Sequence, residues 1–185
     1  PNAAIVPRDR SRWPAEAGAA RSDCRLWAGS LPRRYRNSAQ AFPGAPFLVP
    51  DPAAVQSWRD ALAAHGASRR RIGIAWTGGL PETARASRSI PLEAWAPLFA
   101  DADNVFVSLE LLDRREEAAA VTARGGAALL HFPGVAADLD RLAALIAALD
   151  AVISVPNAAA HLAGALGCPV DVLVSGVPTW RYGWA

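Results

Sequence analysis

From residue 71 to residue 174, short apolar runs alternate with longer segments whose apolar residues recur at helical spacing. The runs cover residues 72–76, 105–109, 128–132, 151–155 and 170–174. Each is apolar along most of its length, which is typical of strands buried on both faces. Strands that alternate with helices over short connections favour a parallel sheet covered by helices. The repeated pattern therefore predicts an α/β fold.

The segments between the runs predict helices over residues 91–100, 113–124, 138–149 and 157–166. In the third of these, one face carries Leu139, Leu142, Leu145, Ile146 and Leu149. Right-handed crossovers between parallel strands leave few possible topologies. We predict a Rossmann-like sheet with strand order 3-2-1-4-5 and helices on both faces.

The first 50 residues differ from the rest, because they are rich in Pro, Arg, Ser and Gly and show little periodicity. Proline fixes φ and lacks a donor, so residues 1–50 are expected to form an irregular connector. Asp51 can cap a helix that has Pro52 at its first position and ends at Gly66. We expect a linking helix over residues 51–68 and the sheet domain over residues 69–185.

The charge pattern argues against a nucleic-acid-binding protein. The net charge is +2, and the dense basic runs, residues 33–36 and 69–71, are short. Two short runs do not form the basic surface that nucleic acids require. Anionic small ligands remain compatible with this charge.

Targeting and metal-binding patterns are also missing. No apolar stretch approaches the ~18 residues of a membrane span, and no signal-peptide pattern opens the chain, so a cytoplasmic protein is expected. Cys24 and Cys168 lack the spacing of zinc or redox motifs. Because the sequence contains no methionine, we treat it as a possible fragment.

In open parallel sheets, ligands bind beyond the carboxyl ends of the strands, where the strand order reverses. The predicted order places this point between the first and fourth strands, at the loops Thr77-Gly78-Gly79 and Pro156-Asn157. Asn157 can cap the following helix, whose first amides are unpaired and attract anions. The small side chains of Ala158 and Ala159 would let a diphosphate approach. The alternative is an ordinary helix end, as every α/β protein has.

Further candidates lie on the same edge. Glu110 could bind a sugar hydroxyl or cap a neighbouring loop. Arg88 could contact phosphate, whereas the nearby Arg85 is expected to be solvated. His161 could touch a phosphate or ribose, or be a buried histidine bonded to a carbonyl. The sequence shows no convincing Ser-His-Asp arrangement. His131 lies at the end of a predicted strand, near the same edge of the sheet.

Several segments, taken in order, resemble a known family. They are residues 71–78, 88–92 (Arg-Ser-Ile-Pro-Leu), 106–109 (Phe-Val-Ser-Leu), 145–155 and 160–167 (His-Leu-Ala-Gly-Ala-Leu-Gly after Ala160). Together they resemble bacterial glycosyltransferases that often follow tetratricopeptide repeats. Those enzymes are related to the heptosyltransferases of glycosyltransferase family nine and, more distantly, to O-GlcNAc transferases. The resemblance covers roughly residues 31–185.

This resemblance implies a GT-B type fold, in which two Rossmann-like domains face each other and this chain is the C-terminal half. It implies hexosyl or heptosyl transfer from a nucleoside-diphosphate sugar, with no metal or cofactor. The acceptor, a glycan, lipid-linked glycan or protein, would bind an upstream domain, and repeats could precede that domain. No catalytic residue is assigned. The nucleotide-sugar-binding residues expected here are Thr77, Gly78, Gly79, Arg88, Ser108, Glu110, Asn157, Ala158, Ala159 and His161.

The chain departs from the family pattern on the ligand side. The family usually has Val-Asp-Thr where this sequence has Val155, Pro156 and Asn157, and Gln where it has Glu110. These changes favour an altered donor, weak activity, or a catalytically silent domain that serves as a binding or assembly module. A nicotinamide-dependent enzyme is a third hypothesis, which the missing GxGxxG fingerprint disfavours.

Overall fold

The computed structural model describes residues 31–42, 44–79 and 85–176. The chain divides into two units, Pro1–Gly44 and Ala45–Ala185. The described part of the first unit contains helix α1 (Pro32–Tyr35) and a 3-10 turn. Its Arg36 donates a hydrogen bond to the carbonyl of Ala41 and lies over the ring of Phe42. Residues 1–30 of the expected connector lie outside the described residues.

The second unit is built on a five-stranded sheet. Its strands are β1 (Arg70–Ala75), β2 (Asn104–Ser108), β3 (Ala128–His131), β4 (Ala151–Ser154) and β5 (Val170–Val172). All neighbouring strands are parallel, in the order β3-β2-β1-β4-β5. This confirms the predicted order, and the strand ends differ from the prediction by two residues at most.

The described helices of this unit are α2 (Pro52–Ala63), α3 (Ala96–Phe99), α4 (Arg115–Ala123), α5 (Leu139–Ala147) and α6 (Ala158–Leu166). Asp51, Asp138 and Asn157 cap α2, α5 and α6 with their side chains. None of the described helices has the length and apolar character needed to cross a bilayer.

The helix predicted over residues 91–100 forms differently. A 3-10 turn, Leu92–Trp95, comes first, and α3 then begins at Ala96. Pro97 explains the break, because proline lacks the N–H that a continuous helix would need and its ring clashes with the carbonyl four residues earlier. In the first turn of α3 the same residue is tolerated, since no intrahelical donor is required there.

Helices cover both faces of the sheet, as predicted. Side chains alternate along β1, so Ala75 joins a core with α2, α5 and α6. Ile72 and Ile74 point to the opposite core, which α3 and α4 cover. In that second core, the rings of Phe99 and Phe106 meet edge to face at 5.1 Å.

Helix α2 belongs to the same packed unit as the sheet. Val55 and Leu62 are buried in the core with α5, and Trp58 meets Phe132 edge to face at 4.9 Å between ring centroids. The preceding segment is held as well, because the amides of Phe47 and Leu48 both donate to the carbonyl of Ala165. The segment expected to be a linking helix therefore contributes to the core.

Candidate functional site

The two loops expected at the switch point meet in the structure. Asn157 Nδ2 donates to the carbonyl of Thr77 at 3.2 Å, which joins the loop after β4 to the loop after β1. Asn157 Oδ1 accepts from the amide of Ala160 at 3.2 Å and from Ser154 Oγ at 3.0 Å. The predicted cap is confirmed, and the same side chain also bridges the two loops.

A cavity of about 420 Å³ opens where these loops meet. Six of the ten residues expected to bind the nucleotide sugar line it: Thr77, Gly79, Glu110, Asn157, Ala158 and Ala159. Arg85 adds a positive charge to its wall, although the sequence suggested a solvated side chain. Leu111, Leu112 and Leu139 form an apolar side of the cavity and are largely exposed. The cavity therefore combines a polar wall with an apolar one, as small-molecule sites do.

The loop after β1 is braced by the protein itself. Glu110 is buried, and its Oε1 accepts hydrogen bonds from the amides of Trp76 and Thr77, each at 2.8 Å. The amide of Gly78 donates to Ser89 Oγ at 3.0 Å. These three amides are thus engaged by side chains, so a ligand could bind them only by displacing Glu110 or Ser89. Of the two roles considered for Glu110, capping a neighbouring loop is the one observed.

Helix α6 begins at the edge of the cavity. Asn157 caps the amide of Ala160, and no described residue accepts a hydrogen bond from the amides of Ala158 or Ala159. An alanine side chain adds little bulk beside these amides. His161 lies one turn further along, does not line the cavity, and is exposed. The alternative of a buried histidine at this position is therefore wrong.

Three further expected residues, Gly78, Arg88 and Ser108, do not line the cavity. Gly78 is buried against Arg88, and a Cβ on Gly78 would come within 2.2 Å of the Arg88 carbonyl oxygen. Gly78 is therefore required for a close approach of two backbone segments. Arg88 is half-buried and does not line the cavity. Ser108 is buried. Among the described residues, no group of His, Cys, Asp and Glu is arranged to hold a metal.

His131 forms a network that the sequence did not reveal. Its Nδ1 lies 3.1 Å from Ser108 Oγ, and its Nε2 accepts from the amide of Arg114 at 3.2 Å. Asp113 lies 3.6 Å from Nε2. Because Nε2 accepts a hydrogen bond, the proton of the neutral ring sits on Nδ1 and is donated to Ser108. This histidine therefore cannot remove the proton of Ser108, so the three residues do not form a catalytic triad.

The same network is connected to the wall of the cavity through Glu110, which lines it. Ser108 Oγ accepts from the amide of Glu110 at 3.4 Å, and Glu110 in turn holds the loop after β1. In the predicted strands, 105–109 and 128–132, Ser108 and His131 each stand one residue before the end, and no sequence pattern pairs them. Only the pairing of β2 with β3 places them side by side.

Acidification is expected to destabilise this network. Burial lowers the pKa of His131, against the opposing charge of Asp113. Since the folded chain favours the neutral ring, the stability that this histidine contributes is present at neutral pH. It is lost as the pH falls below the unfolded value of about 6.5. Urea unfolding between pH 7.5 and pH 5 should show this loss. A His131→Gln variant should lose less stability over the same range, and an equal loss would contradict the assignment.

The chain is similar in sequence to a known protein and in fold to solved glycosyltransferase structures. No family model matches the sequence. The chain is 36% identical over 159 residues to Protein FlbA of Caulobacter vibrioides. This match covers 83% of the chain and 26% of FlbA, so the chain spans about a quarter of that relative's length.

Two solved structures share the fold. A glycosyl transferase family 9 protein from Veillonella parvula matches with a TM-score of 0.53 and 17% identity, over 70% of this chain and 38% of that one. The E. coli ADP-heptose LPS heptosyltransferase II matches with a TM-score of 0.50 and 18% identity, over 75% of this chain and 43% of that one. The chain therefore has the parallel α/β fold found in part of these glycosyltransferase structures.

Proposed function

We propose that the chain is the donor-binding domain of a metal-independent glycosyltransferase, and that it binds a nucleoside-diphosphate sugar in the cavity between β1 and β4. The observation that carries the proposal is that α6 begins at this cavity with Ala158 and Ala159 lining it. The fold shared with the family 9 glycosyltransferase supports it. As in the sequence analysis, we place the acceptor on an upstream domain and the reaction in the cytoplasm.

In this proposal the pyrophosphate lies against the first amides of α6, where the helix dipole favours negative charge. Arg85 lines the same cavity and contributes a guanidinium. The nucleobase of the nucleotide sugar lies against the apolar side of the cavity, which is formed by Leu111, Leu112 and Leu139. When the sugar is transferred, the same amides and Arg85 stabilise the charge that develops on the departing diphosphate.

Thermal unfolding with a panel of UDP-, GDP-, ADP- and dTDP-sugars tests this proposal. A ligand that binds only the folded chain raises its melting temperature, by about 5 °C or more at a concentration of ~100 times Kd. We expect such a shift with one nucleotide class. No shift at millimolar concentration with any member of the panel would contradict donor binding.

A matched pair of variants tests whether the ligand that raises the melting temperature binds at the start of α6. Ala158→Asp suits the first turn of a helix, so the unliganded melting temperature should be maintained. Its carboxylate would repel a diphosphate at the cavity, and the ligand-induced shift should fall. Ala119→Asp places the same charge on the exposed surface of α4 and should keep the shift. Equal shifts in both variants would place the nucleotide elsewhere.

A second candidate function is a catalytically silent module for binding or assembly. It is favoured by the way Glu110 and Ser89 occupy the amides of the β1 loop. The buried carboxylate of Glu110 also adds negative charge beside the proposed diphosphate. In the thermal titration, a chain that responds to no nucleotide sugar would support this candidate. NAD(H) is added to the panel as a further ligand, and a response to NAD(H) alone would support a nicotinamide-dependent enzyme.

A further inference from the structure

A second cavity lies next to the first. Its volume is about 550 Å³, and Thr77 and Arg85 line both cavities. It lies between the segment that follows Arg85 and the side of α4, and Trp76 and Val121 give it an apolar lining. Three arginines, Arg85, Arg114 and Arg124, and two glutamates, Glu93 and Glu117, also line it. The charged groups of its wall therefore sum to one positive charge.

In this wall Arg114 and Glu117 form an ion pair, of which Arg114 is the less exposed partner. Its side chain is 19% exposed, and Nη1 pairs with Glu117 Oε1 at 2.5 Å. Its Nε is buried and has no hydrogen-bond partner among the described residues. Buried N–H groups are nearly always hydrogen-bonded, to the protein or to ordered water, so an unpaired one requires an explanation. Arg114 therefore lines a cavity large enough for a ligand with a guanidinium whose buried Nε–H is unpaired among the described residues and whose Nη1 is engaged by Glu117.

Glu117 currently takes the place that an oxyanion would occupy. Its side chain is 41% exposed, so it can turn toward solvent at little cost and release Arg114. Phosphate and carboxylate groups fit a guanidinium through two parallel N–H···O bonds. Arg124 is exposed on the same wall and can add attraction to the same anion.

We propose that this second cavity binds a small molecule through a phosphate or carboxylate group, with Arg114 as the main binding residue and Glu117 as an internal competitor. The binding does not depend on the donor site. If the proposed function is correct, the shared wall of Thr77 and Arg85 places this anion beside the nucleotide sugar.

Titration with inorganic phosphate at constant ionic strength tests the inference, with the arginine Nε–H signals followed by NMR. We expect the Arg114 signal to shift and saturate. Arg115, which is exposed and paired with Asp113 outside this cavity, should shift little. Acetate in place of phosphate shows whether a carboxylate suffices. Equal, unsaturated shifts of Arg114 and Arg115 would mean nonspecific ion binding and would overturn the proposal.

Two variants test in which direction the charges of Glu117 and Arg124 change the affinity for phosphate. Glu117→Gln removes the competitor and should tighten phosphate binding by about 3- to 10-fold, whereas Arg124→Gln should weaken it by about 3-fold. Weaker binding in Glu117→Gln would contradict the competitor role. The amides of Ala158 and Ala159 report on the donor cavity in the same spectra. Shifts confined to those amides would overturn this inference and leave the proposed function standing.

Discussion

Replacing Glu110 with alanine is expected to lower the free energy of unfolding by about 3 kcal/mol. The carboxylate accepts hydrogen bonds from the amides of Trp76 and Thr77 and is 7% exposed. Alanine would leave both amides without their acceptor, in a place where little water can replace it. The cost of such unsatisfied buried groups exceeds that of losing exposed hydrogen bonds. Urea denaturation at pH 7.5 measures the change.

The conservative variant separates hydrogen bonding from charge. Glu110→Gln keeps an oxygen that can accept from both amides, so its cost should be about 1 kcal/mol, because neutral acceptors form weaker bonds. Glu116→Ala, which removes an exposed carboxylate from α4, should cost about 0.5 kcal/mol. If Glu110→Ala cost no more than Glu116→Ala, the carboxylate would not brace the β1 loop.

Replacing Asn157 with alanine is expected to lower the free energy of unfolding by about 2 kcal/mol. This side chain caps Ala160, accepts from Ser154 and donates to the carbonyl of Thr77. Alanine removes all three hydrogen bonds, and with them the link between the loops after β1 and β4, which meet at the first cavity. If the thermal titration identifies a nucleotide sugar, this variant should also weaken its binding.

The Asn157→Asp variant separates the contribution of the helix cap from that of the hydrogen bond to Thr77. An aspartate still caps the helix and suits its N-terminal dipole, but it cannot donate to Thr77 and places a carboxylate near that carbonyl oxygen. We expect a loss of about 1 kcal/mol, between the native chain and the alanine variant. A loss as large as that of alanine would show that the cap contributes little. No measurable loss in either variant would contradict the bridging role.

These two residues illustrate different degrees of predictability. The cap at Asn157 followed from a local pattern, an asparagine at the start of an apolar helical segment, and the structure confirms it. The role of Glu110 in the loop was open in the sequence, because its two partners lie 34 and 33 residues away. Which amides it meets depends on β1 and β2 being neighbours.

The amino-acid sequence was enough to predict the order of strands and helices, the parallel sheet and the edge on which a cavity opens. Periodicity, caps and crossover handedness are local properties or follow from chain connectivity, so they can be deduced without coordinates. Tertiary packing, in contrast, sets two features: Ser89 and Glu110 engage the amides of the loop after β1, and Arg114 lines a second cavity. Those contacts join residues distant in sequence, and packing brings them within hydrogen-bonding distance.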